Sequence, residues 1–70
     1  MNAQDLKEAL GANTTELARL CGVHRMTMQK WLTGERLPSA AVLRLFELVA
    51  WLHQHGQLRQ AIRDLEDAAK

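Results

Sequence analysis

Cysteine is nearly missing from this sequence: Cys21 stands alone among 70 residues. An intramolecular disulfide is therefore excluded, and the usage fits a reducing cytosol. Long apolar runs are missing too, since no stretch approaches the ~18 residues that a membrane span requires. The opening "MNAQDLKEALG" has no basic segment followed by an apolar one, so neither secretion nor membrane insertion is expected, and the protein is read as cytoplasmic. Charge of one sign is also absent. Nine Lys and Arg face eight Asp and Glu, a formal net charge of +1, too balanced for a non-specific nucleic-acid coat or a polybasic membrane binder. Runs of β-branched residues are lacking, which argues against a sheet. There is no glycine-rich phosphate loop, no nucleophile motif and no evident pair of acids, so an enzyme, a cofactor and a small-molecule substrate are not expected. Five helices in so short a chain also leave little room for a pocket. Repeats, low-complexity segments and linkers are absent. Residues 1–70 are read as one domain, near the lower size limit for a core that folds without staples.

What is present is unevenly distributed. Residues 14–44 carry Arg19, Arg25, Lys30, Arg36 and Arg44 against Glu16 and Glu35, whereas the tail from Glu47 holds Arg59, Arg63 and Lys70 against Glu47, Asp64, Glu66 and Asp67. Any nucleic-acid function must therefore be local, and it points to the middle of the chain. Apolar residues recur at spacings of three and four, and Gly11, Gly22, Gly34 and Gly56 punctuate them, a pattern that predicts five helices. The first, about Ala3 to Leu10, should bury Leu6, Ala9 and Leu10. The second opens on Asn13 as N-cap with Glu16 three residues later, a capping box, and places Leu17, Ala18, Leu20 and Cys21 on one face. The third runs from about Arg25 to Thr33. The fourth, capped by Ser39 after Pro38, reaches about His55 and is apolar around nearly its whole circumference, interrupted mainly by Arg44 and Glu47, so burial on several sides is expected. The fifth, within 57–69, shows Leu58, Ala61, Ile62, Leu65, Ala68 and Ala69 in a regular stripe. Two partners are open to that stripe: the fourth helix, or its own symmetry mate in a dimer.

The third helix has two faces. At about 100° per residue, Met28, Trp31 and Leu32 cluster on one side, while Arg25, Met26, Gln29, Lys30 and Thr33 share the other. Trp31 then reads as a core wedge and Cys21 as a small core hydrophobe. Metal binding is not expected, since Cys21 and His24 lack two further ligands, and His53 and His55 are two apart and diverge on a helix. A helix ending in Gly22, a short turn, and a second helix with one buried and one polar face together describe a helix-turn-helix. In that unit the first helix braces the second, which lies in the major groove of DNA.

The stretch "TTELARLCGVHRMTMQKWLTGERLPSAAVLRLF" resembles the Cro/C1-type, or XRE-like, helix-turn-helix repressors: "ELA", then "GV", then a helix ending in tryptophan, then a G-x-x-x-P turn into a hydrophobic helix. The resemblance covers about residues 4–52. It implies an all-α, five-helix, lambda-repressor-like DNA-binding domain acting as a dimer on a palindromic operator, with the fifth helix aiding dimerisation. It also implies bacterial or phage origin and a repressor of its own operon at the nucleoid. The chain's brevity favours a minimal autoregulator, of the anti-CRISPR-associated, phage or other mobile-element kind.

Three positions depart from the family pattern: His24 where Ser or Thr commonly caps the reader helix, Thr14 where glutamine is frequent, and Leu32 where a charged residue is frequent. His24 therefore either caps poorly or turns its imidazole to a phosphate. The resemblance places base reading on Arg25, Met26, Gln29 and Lys30. Arg25 and Lys30 suit guanine O6 and N7, Gln29 suits adenine N6 and N7, and Met26 suits a thymine methyl. Incidental surface is the lesser alternative for Met26. Phosphate contacts fall on Thr14, Thr15, His24, Thr27, Arg36 and Ser39, aided by the N-termini of the second and fourth helices. A homodimer interface is expected at Trp51, Leu58, Ile62 and Leu65. The competing reading is an antitoxin or protein-interaction module that keeps the fold and uses its fourth and fifth helices.

Overall fold

The computed structural model describes residues 1–69. They form five helices and no strand: α1 (Ala3–Leu10), α2 (Thr14–Cys21), α3 (Arg25–Thr33), α4 (Ala40–Gln54) and α5 (Leu58–Ala68). Among the described residues no helix is long and apolar enough to cross a membrane.

Most boundaries have a local cause, although Gln57 makes no side-chain cap at the start of α5. Asn2 Oδ1 accepts the Asp5 N–H at 2.8 Å and Asp5 Oδ2 accepts the Asn2 N–H at 3.3 Å, a complete capping box at the start of α1. The box expected at Asn13 and Glu16 is only half formed. Asn13 Oδ1 accepts the Glu16 N–H at 2.8 Å, but Glu16 Oε1 takes its hydrogen bond from the Asn13 side-chain amide at 2.8 Å. The carboxylate finds a donor on the cap's own side chain instead of its backbone. At the other end of α2, Gly22 takes φ +70° and the Val23 N–H donates to the Ala18 carbonyl at 3.0 Å. This left-handed stop satisfies carbonyls that the last turn would otherwise leave open. A side chain there would meet no neighbour, so only the backbone conformation demands glycine.

The core collects one face from every helix. Leu6, Leu17, Met28 and Phe46 are fully buried, joined by Ala3, Ala18, Cys21, Val49, Ala50 and Leu58. On α1 the inward residues are Ala3 and Leu6, with Leu10 half-buried, while Ala9 is exposed contrary to expectation. Positions 3, 6 and 10 share a face at 100° per residue, and position 9 falls beside it. Trp31 acts as the expected wedge: it is half-buried and meets Phe46 edge to face, with ring centroids 5.7 Å apart and planes at 73°. Its Nε1 is sealed from solvent and lacks a hydrogen-bond partner.

α4 overturns the expectation of burial on several sides. Phe46, Val49 and Ala50 face the core, but Leu48 is 54% and Trp51 51% exposed. The helix packs on α1, α2 and α5 and, through Phe46, on Trp31 of α3, while Arg44, Glu47, Leu48 and Trp51 stay exposed. Apolar residues around a helix permit burial; the number of neighbouring helices decides how much of it occurs. Trp51 partly compensates by stacking on His55, with ring centroids 4.0 Å apart, and His55 Nδ1 lies 2.8 Å from the Trp51 carbonyl oxygen.

Candidate nucleic-acid interface

Met28 anchors α3 by its fully buried side chain, with Trp31 and Leu32 half-buried beside it. The opposite face presents Arg25, Met26 and Gln29 to solvent, Met26 at 61% exposure. Lys30 and Thr27 stand half-buried at its margins. The structure thus brings the expected base-reading residues onto one side of one helix, with Lys30 at the edge.

α2 and α3 pack directly on each other across the Gly22–Val23–His24 connection. His24 corrects the expectation of a poor cap. Its Nδ1 accepts the Met26 N–H at 3.1 Å, with the backbone extended at φ −66°, ψ 144°. Acceptance needs the Nδ1 lone pair, so the ring proton sits on Nε2. A second tie crosses between the helices: Arg25 Nε–H donates to Thr15 Oγ1 at 3.1 Å. This bond joins an expected base reader to an expected phosphate contact, and the spacing of ten residues gave no signal for it.

The remaining phosphate candidates are arranged around α3. Thr14 is half-buried and Thr15 exposed in the first turn of α2. Arg36 is exposed, and its backbone N–H donates to the Lys30 carbonyl at 3.2 Å, which holds it beside the end of α3. Ser39 serves as the cap of α4, where its Oγ accepts the Val42 N–H at 3.3 Å.

Cationic side chains collect around this face without an ion-pair partner among the described residues. Among the described residues the one ion pair is Arg44 with Glu47 at 3.1 Å, an exposed contact three residues apart on α4, of a type worth ~0–1 kcal/mol. Arg25, Lys30 and Arg36 therefore keep their charge unneutralised. Cys21 lies behind the site, where burial pushes its thiol up to about 11, so it stays protonated and unreactive near neutrality.

The expected dimer residues separate into two groups. Leu58 is only 8% exposed and belongs to the core, which corrects its assignment to an interface. Ile62 is half-buried against that core. Leu65 is 67% exposed, because the stripe of α5 continues past the body it packs on, and Trp51 is exposed on α4. Leu48, one turn before Trp51, also stands exposed there; its signals in the sequence are the i, i+3 spacing to Trp51 and its place one turn after the polar Arg44. A groove with a volume of about 580 Å³ also opens between the ends of α1 and α4, α2 and α5, where little room was expected. Leu10, Leu20, Leu58 and Ile62 line it together with Arg19 and Arg63.

No protein-family model, no curated protein and no solved structure matches this chain significantly.

Proposed function

We propose that this protein is a sequence-specific DNA-binding repressor of the Cro/C1 helix-turn-helix kind. It inserts α3 into the major groove, acts as a homodimer on an inverted repeat, and controls the operon that encodes it, on a phage or other mobile element. The observation that carries this reading is the outer face of α3. Arg25, Met26 and Gln29 stand exposed there with Lys30 alongside, none in an ion pair, on a helix braced by α2. Those side chains supply guanine donors, an adenine-matching amide and a methyl contact, a set with no purpose in the core. The resemblance of residues 4–52 to the family adds weight to the reading. The chemistry needs no cofactor and takes place in the cytoplasm, at the nucleoid.

Selection from a pool of random duplexes tests it. The protein should enrich an inverted repeat with half-site centres about one helical turn, ~34–36 Å, apart. Absence of any enriched sequence would remove DNA reading. It would favour instead an interaction module, to which the exposed Leu48, Trp51 and Leu65 lend support.

Those same residues are assigned to the two-fold interface. Leu65→Asp is the cleaner probe, because Ile62 also packs on the core and an Asp there would destabilise the monomer. Leu65→Asp should halve the mass seen by light scattering without changing the thermal melt of the monomer. An unchanged mass would exclude α5 from self-association.

A further inference from the structure

Thr15 was expected to touch phosphate, yet its hydroxyl oxygen is already engaged by the neighbouring helix. Arginine carries five N–H donors in a planar fork. In Arg25 the Nε–H is given to Thr15 Oγ1 at 3.1 Å, which fixes one corner of the guanidinium plane. No other hydrogen bond of the Arg25 side chain is made among the described residues, so both Nη groups remain available. They form the end of the fork that matches guanine O6 and N7.

We infer that Thr15 is a positioning residue that aims the Nη pair of Arg25 at a single guanine in each half-site. This inference rests on the DNA reading above. A long exposed arginine loses rotamer freedom when it binds; one already pinned at Nε through a neighbouring helix has lost part of that freedom beforehand. The acceptor's own proton is left over. Thr15 lies exposed in the first turn of α2, where backbone N–H groups favour a phosphate. Its O–H can donate outward while Oγ1 accepts from Arg25, and each bond polarises the other. A single side chain thereby couples the placement of the protein on the DNA backbone to the reading of a base.

The experiment compares Thr15→Val, which keeps the β-branched shape and removes the acceptor, with Thr15→Ser, which keeps it. Affinities are measured by titration at fixed salt on the duplex that the wild-type protein selects, and on duplexes carrying G→A at each guanine in turn. All proteins are held below the onset of their thermal melts. Thr15→Val should bind the selected duplex about tenfold more weakly. It should also lose most of the penalty for replacing one particular guanine, with the penalties at the other guanines intact. Thr15→Ser should restore both, and Thr15→Val should add nothing to Arg25→Ala. Equal weakening on every duplex would identify Thr15 as a phosphate contact alone and overturn the inference, as would an unaltered guanine penalty. If the wild-type protein selects no duplex, the DNA reading itself falls and the inference with it.

Discussion

Replacing both Arg25 and Lys30 by alanine should reduce binding at the selected operator to the level of unrelated DNA. Each bidentate base contact contributes roughly 1–3 kcal/mol of discrimination, and a symmetric dimer loses every such contact twice. Their sum spans the ~4–10 kcal/mol that commonly separates specific from non-specific association, so little preference would survive. The fold should be nearly indifferent. Arg25 is exposed and its bond to Thr15 is a surface contact, of a type worth ~0.5–1.5 kcal/mol. Lys30 is half-buried and has no ion-pair partner. Electrophoretic titration beside a thermal melt separates the two effects. Retained preference for the operator in a folded double variant would show that α3 does not read the bases.

Phe46→Ala should cost about 3–5 kcal/mol, the range for emptying a fully buried aromatic site. Phe46 has no exposed surface and packs edge to face with Trp31, ring centroids 5.7 Å apart, so its loss also frees the wedge that seats α3. Against the ~0.05–0.15 kcal/mol per residue usual for small domains, 70 residues leave a margin of the same order. A large unfolded fraction at room temperature is therefore expected, with DNA binding lost in step. Phe46→Leu, closer in volume, should remain folded. Urea titration followed by circular dichroism measures both variants. A loss below ~1 kcal/mol for Phe46→Ala would mean that the α3–α4 contact is not central to the core.

The layout of the first four helices was legible because their boundaries are written locally. Asn13 and Ser39 can accept from the first turn, and Gly22 and Gly34 can take the left-handed conformation. The two sides of α3 were legible for a similar reason, since Met28, Trp31 and Leu32 recur at helical spacing among polar residues. α4 was opaque. Its outside is marked only thinly, by Arg44 and Glu47, and Leu48 and Trp51, each four residues after one of them, share that side amid an otherwise nearly continuous apolar circumference. The same degeneracy hid Leu58 in the expected interface: a stripe states that a face is apolar, not how far along it the supporting body extends. The bond between Thr15 and Arg25 depends on how α2 and α3 cross, a property of the assembled structure and of neither segment alone.

His24 sets a trade-off at the start of α3. Its ring holds the Met26 N–H through an Nδ1 lone pair, and a doubly protonated imidazole has no lone pair to offer. The nitrogen that clasps the Met26 N–H cannot also donate outward, so the cap leaves only Nε2 of this exposed ring to meet any group beyond α3.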